Sequence, residues 1–248
     1  LQTTVQLIRR HKIGLLCLGE LNSSAWLGAL CHRLTGCQLI YYIHGEEITT
    51  QFDAGSFGKN RFHTLARADA IIAVSRFTQS TLIEKLGLPA ERVHLIENAV
   101  DTTKFSPGVD DTAFRQRWHI VGKRLVVGVG RLVPRKGFDK TILGWQNVIA
   151  QHPTTHLMIV GDGPQRAELQ QLIESAGLQN HITLTGPLSD ADLLAAYRSA
   201  TLFIMPNRTM PDGDTEGFGL VFLEANACGR AVIGGRAGGA VEAVREGE

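Results

Sequence analysis

The sequence predicts an α/β protein with two open parallel sheets, and three features predict it. Short runs rich in Val, Ile and Leu alternate with stretches of helical period, the pattern of parallel strands joined by crossover helices. The runs are continuously apolar, which implies strands covered by helices on both faces. The series is interrupted once, by NAVDTTKFSPGVDD at 98–111, where Pro107, Gly108 and short polar residues favour turns, and then starts again.

In chain order, the first series has strands at IGLLCL (13–18), QLIYYI (38–43), DAIIAV (69–74) and VHLI (93–96), with helical segments near 23–34, 57–67 and 76–86. The second has strands at RLVVGVG (124–130), THLMIVG (155–161), ITLTG (182–186), TLFIMP (201–206) and AVIGG (231–235), each followed by a helical stretch. The interruption places a domain boundary, with an N-terminal domain over 1–105 and a C-terminal domain over 106–248. The opening LQTTVQLIRRHK reads as the middle of a helix and the closing GGAVEAVREGE as a helix with no strand after it, so both domains are expected to be incomplete.

Composition narrows the function. With 248 residues, 44% hydrophobic and 20% charged, the chain can build a substantial core. Lys plus Arg number 25 against 24 for Asp plus Glu, so no global field draws nucleic acid or an anionic membrane, and any anion site must be local. Cys17, Cys31, Cys37 and Cys228 form no CxxC pair, which argues against a zinc site or disulfide framework and for a reduced, cytoplasmic setting. No apolar run approaches the roughly 18 residues of a spanning helix.

In open α/β sheets ligands bind beyond the carboxyl ends of the strands. After RLVVGVG comes RLVPRKG, placing Arg131 and Lys136 on one loop just before a helix. Two cations there suit a diphosphate, the guanidinium as a planar fork and the ammonium as a compact charge. Arg135 is the weaker candidate, and a solvated basic loop is the plain alternative. After TLFIMP and a polar loop the chain reads EGFGLVFLEANACG. Gly217 and Gly219 allow close backbone approach to a helix N-terminus that attracts anionic or hydroxyl oxygens. Glu216 is expected at its mouth. Glu224, about one and a half turns further in on an otherwise apolar helix, needs a partner, and a vicinal diol would supply one. The alternative makes Glu216 a helix-start acid and Glu224 a structural residue. In the first series QLIYYI ends in HGEE, placing His44 at a sheet edge, where a lone histidine is commonly structural.

GRLVPRKG, GDGP and EGFGLVFLEA, at these intervals, resemble the family-four retaining glycosyltransferases (glycosyl transferases group 1), most of all the phosphatidylinositol mannosyltransferase-like members. The resemblance covers nearly the whole chain. It implies two Rossmann-like domains facing across a cleft (GT-B type), with the donor held chiefly by the C-terminal one. Arg131 and Lys136 would then bind the donor diphosphate, Glu224 the ribose, and Glu216 the transferred sugar, with His44 close to that sugar. The N–H groups of Phe218, Gly219 and Leu220 would meet the sugar and distal phosphate. Gly161 and Gly163 of GDGP would pack near the nucleotide, and Thr185 and Gly186 would frame the base.

The implied reaction moves a hexose from a nucleoside-diphosphate sugar of the GDP-mannose or UDP-glucose type to a lipid or polysaccharide hydroxyl, with retention. Departure of the diphosphate would be stabilised by Arg131, Lys136 and the helix N-terminus. His44 and Glu216 complete the catalytic set, with Glu216 positioning the sugar rather than attacking it. No cofactor and no metal are expected: DGD at 212–214 reads as a turn, and GVGRLV lacks the third glycine of a dinucleotide fingerprint. Access to a lipid acceptor implies peripheral contact with the inner membrane face, although no basic amphipathic helix stands out. ENAVD at 97–101 departs from the family's PNGVD, replacing its proline and glycine, so that turn is expected to differ in shape. With its first strand and glycine-rich loop expected to be missing, the chain alone is not expected to catalyse, whereas donor binding survives. A sugar-nucleotide epimerase of the same architecture and a non-catalytic nucleotide-sugar-binding module are the competing readings.

Overall fold

The computed structural model describes residues 1–21, 24–49, 63–109 and 111–247. The segment expected to be helical over 57–67 therefore lies partly outside the described residues. Contacts divide the chain into two units, one of Leu1–Asn98 with Pro211–Phe218, the other of Ala99–Met210 with Gly219–Glu248.

The first unit opens with α1 (Gln2–Arg10), then β1 (Leu15–Leu18), α2 (Ala25–Thr35), β2 (Gln38–Ile43), α3 (Glu46–Thr49), β3 (Ala70–Ala73), α4 (Arg76–Ser80) and β4 (Val93–Leu95). Its four strands are all parallel, in the order β1-β2-β3-β4. Helix α2 stops at Gly36, whose φ of 71° supplies the left-handed C-terminal turn. Helix α4 starts where Ser75 accepts the Thr78 N–H at 3.0 Å. The core gathers Leu39, Tyr41 and Ile43 of β2 with Ile71, Ala73, Leu21, Leu65 and Leu82. The buried Tyr41 hydroxyl donates to Ala25 O at 2.9 Å, which satisfies the one polar group on that strand's inner face.

The second unit runs through α5 (Thr112–Arg117), β5 (Arg124–Val129), α6 (Phe138–Gln151), β6 (Thr155–Val160), α7 (Arg166–Ser175), β7 (Ile182–Gly186), α8 (Asp190–Ser199), β8 (Leu202–Met205), α9 (Leu220–Ala227), β9 (Ala231–Gly234) and α10 (Ala240–Ala243). Its parallel sheet has the order β7-β6-β5-β8-β9, so the direction of winding reverses between β5 and β8. Helix α6 buries Phe138, Thr141, Ile142 and Trp145, one stripe of helical period. Every residue of the interior strand β6 is buried, Thr155 and His156 included. Burial on both faces does not extend to the edges: β1 and β9 alternate exposed and half-buried residues, because an edge strand has a neighbour on one side. The helix expected at the end of the chain is short, covering Ala240–Ala243.

Candidate functional site

The reversal between β5 and β8 is the topological switch point at which open α/β sheets hold ligands. The loops leaving β5, β6 and β7 form one backbone layer at this edge. Leu132 N–H donates to Asp162 O at 2.9 Å, Gln165 N–H to Leu132 O at 3.0 Å, and Gly161 N–H to Gly186 O at 3.0 Å. Only glycine fits at 161, since a Cβ there would collide with Gly130 O on a backbone whose φ is 133°. Arg131, Gly161, Gly163, Thr185 and Gly186 are thereby brought to one layer. The Thr185 hydroxyl donates to Gly186 O at 2.7 Å.

The cations of the β5 loop differ in setting. Arg131 is exposed, whereas Lys136 is 8% and Arg135 6% exposed. Both buried cations lie in a single 3₁₀ turn, Pro134–Lys136, that leads into α6. The Lys136 stem runs beside Gly130, with Cε 3.5 Å from where a Cβ would stand. Arg135, the weaker ligand candidate, is buried, which its place in a basic loop does not announce. Its carbonyl accepts the Arg208 N–H at 2.8 Å, and the Arg208 guanidinium meets Asp139 Oδ2 at 3.0 Å. This bond ties the loop after β8 to the start of α6. Beside it Asn207, 3% exposed, accepts from Gly235 N–H at 3.0 Å and donates to Ala237 O at 3.2 Å. Asn207 and Arg208 follow directly after the β8 strand, the one feature of the sequence that points to them.

The Glu224 carboxylate has a protein partner: the Tyr197 hydroxyl donates to Oε2 at 2.7 Å. Tyr197 is fully buried, and its phenol pKa is pushed up by burial first and by the Glu224 charge second. No local pattern announced this pair, since the residues lie on α8 and α9.

The segment Pro211–Phe218 belongs to the first unit, and Gly217 shows why. A Cβ on Gly217 would overlap the His44 carbonyl oxygen, and one on Gly45 would lie 2.6 Å from Gly217 Cα. Ser75 Oγ donates to Gly217 O at 2.7 Å. Glycine at 217 thus serves packing against the β2 loop rather than approach to a ligand. The segments carrying His44 and Glu216 adjoin in this way. His44 is exposed, its ring 5.0 Å from that of Tyr42. Glu216 is buried, at 8% exposed. Gly45 N–H donates to Glu47 Oε2 at 3.0 Å, which fixes the turn after His44. The boundary between the two units falls between Phe218 and Gly219. Gly219, with φ of 92°, caps α9.

In the 212–214 loop Asp212 Oδ1 accepts the Asp214 N–H at 3.0 Å, a local turn. Among the described residues no group of three His, Cys, Asp or Glu side chains is arranged to hold a metal ion. Nor is any described helix long and apolar enough to cross a membrane. In the ENAVD region Asp101 Oδ1 accepts the N–H groups of Thr103 at 2.9 Å and Lys104 at 3.3 Å, so an Asp-centred turn stands there.

Residues 110–248 match the family described as glycosyl transferases group 1, and residues 2–104 match Glycosyltransferase Family 4. The GDP-mannose-dependent alpha-(1-6)-phosphatidylinositol monomannoside mannosyltransferase of Mycolicibacterium smegmatis is 35% identical over 98% of this chain and 64% of its own length. The GDP-mannose-dependent monoacylated alpha-(1-6)-phosphatidylinositol monomannoside mannosyltransferase of Corynebacterium glutamicum is 31% identical over 96% of this chain and 63% of its own. Among solved structures, Anabaena HepE in complex with UDP-glucose superposes with a TM-score of 0.82 at 27% identity, covering 99% of this chain and 65% of that one. The chain therefore spans just under two thirds of the length of these relatives.

Proposed function

The chain belongs to the glycosyl transferases group 1 family, and on that premise we propose that it is the larger part of a retaining glycosyltransferase that moves a hexose from a nucleoside-diphosphate sugar to a lipid or glycan hydroxyl. The observation that carries this reading is the cationic β5 loop at the switch point, which carries Arg131 and Lys136 and is hydrogen-bonded through Leu132 to the GDGP turn. Several of the relatives, at 31% to 37% identity, are GDP-mannose-dependent by name, which favours GDP-mannose over a uridine donor.

In this reading the difficult event is departure of the nucleoside diphosphate. Arg131 and Lys136 neutralise the negative charge as it develops. Their loop is already held by hydrogen bonds to the neighbouring turn, so little reorganisation is required. Removing one preorganised donor of this kind costs about 10²- to 10³-fold in turnover. Glu224 receives the ribose, Thr185 and Gly186 frame the base with backbone groups, and Glu216 and His44 position the transferred sugar. The acceptor hydroxyl attacks the face that the diphosphate leaves, which preserves the anomeric configuration. No metal or cofactor takes part.

Calorimetric titration with GDP, UDP, GDP-mannose and UDP-glucose, without metal, tests the donor site, with the Arg131→Ala plus Lys136→Ala variant as control. Binding of the guanosine series, lost in the variant, is expected. Binding that survives in the variant overturns the assignment of the β5 loop. Consumption of UDP-N-acetylglucosamine without an acceptor would indicate an epimerase instead.

A further inference from the structure

Tyr197 sits at the end of α8, fully buried, and its hydroxyl donates to Glu224 Oε2 at 2.7 Å. The ring cannot swing away. It lies edge-on to Phe105, centroids 6.0 Å apart at 79°, and tilted on Phe203 at 6.0 Å. Phe203 in turn packs edge-on against Phe222, 5.5 Å away on the helix that carries Glu224. A phenol so enclosed remains protonated, so it acts as a donor to the carboxylate. Among the described residues it is the hydrogen-bonding partner that holds that carboxylate.

We propose that Tyr197 is a positioning residue for nucleotide recognition: its phenol holds Glu224 Oε2 and fixes the carboxylate so that Oε1 accepts from the ribose hydroxyls of the donor. This rests on the donor reading above. The chemistry is that of a carboxylate with more acceptor sites than donors nearby. One oxygen is engaged by a rigid neutral donor, which selects a single rotamer of a side chain that otherwise has three torsions to explore. The other oxygen remains for the ligand. A bond from a neutral donor leaves the negative charge in place, so the carboxylate stays a strong acceptor for a diol.

The test compares GDP with 2′,3′-dideoxy-GDP, which lacks the ribose hydroxyls, by calorimetry on the full chain. Wild type is expected to prefer GDP, and Glu224→Gln to lose most of that preference. Tyr197→Phe should weaken GDP binding roughly ten- to 150-fold, the range for a hydrogen bond to a charged group, while leaving dideoxy-GDP affinity unchanged. Phe105→Leu, which loosens the aromatic packing but keeps the hydroxyl, should lower the melting temperature without changing the preference. Equal loss for both nucleotides in Tyr197→Phe, or an undiminished preference for GDP, would overturn the proposal by making Tyr197 structural only. A wild-type chain that binds both nucleotides alike removes ribose recognition by Glu224 but leaves the donor reading standing. Binding of neither GDP nor UDP to folded protein ends both.

Discussion

Gly217 and His44 meet backbone to backbone: the glycine lies so close to the histidine carbonyl oxygen that a side chain at 217 would overlap it. With the Ser75 bond to Gly217 O, this contact accounts for the membership of Pro211–Phe218 in the first unit.

Gly217→Ala is therefore expected to displace the 211–218 segment. Overpacking of this kind costs about 1–3 kcal/mol. The expected outcome is a lowered melting temperature and faster proteolytic cleavage within 211–218, with nucleoside-diphosphate binding retained by the second unit. An unchanged cleavage rate would show that the contact does not hold the segment.

Lys136 and Arg131 should separate stability from binding. Lys136 is 8% exposed with its stem beside Gly130, so Lys136→Met keeps the apolar packing against Gly130 and removes the ammonium with its polar interactions. The variant should melt within a few degrees of wild type yet bind GDP at least tenfold more weakly. Arg131→Ala, at an exposed position, should weaken binding with no stability cost. Normal GDP affinity in Lys136→Met would remove the ammonium from the diphosphate site.

Asn207→Ala removes both bonds that hold the loop after β9, leaving Gly235 N–H and Ala237 O without their side-chain partner. A loss of about 1–3 kcal/mol in unfolding free energy is expected from denaturant titration. A change below about 0.5 kcal/mol, typical of surface positions, would mean that water replaces the amide.

His156 makes stability depend on pH. It is 4% exposed, with Nε2 2.9 Å from Thr183 Oγ1 and Nδ1 facing Lys123 Nζ at 3.4 Å. Burial, and then the Lys123 charge, lower its pKa to about 4. In the unfolded chain it titrates near about 6.5. Between those values the unfolded chain binds the proton and the folded one does not. The contribution is therefore complete above about pH 6.5 and is lost as pH falls through the window to about 4, amounting to about 1–3 kcal/mol. Denaturant titrations at pH 4 and 7 should show a smaller acid penalty for His156→Gln than for wild type. Equal penalties would mean that His156 is protonated in the fold.

Much of this architecture was legible in the residues. The strands QLIYYI and ITLTG occupy 38–43 and 182–186, as their apolar runs indicate, and the other strands agree within one or two residues. The switch-point cations were legible for the same reason: a motif directly after a strand stays at that strand's end wherever the strand pairs.

What the sequence determined by itself is local, namely which runs are strands, which stripes must be buried, and which charged or glycine-rich turns follow each strand. Those properties depend on neighbours three or four positions away, and the backbone period writes them into the chain. Only the tertiary structure decided that Tyr197 meets Glu224, that Glu216 is buried, and that Gly217 packs on His44. Such contacts join residues 27 positions apart in the first case, and so depend on how separate elements pack. A buried carboxylate demands a partner, but its sequence position does not say which donor the fold will bring to it.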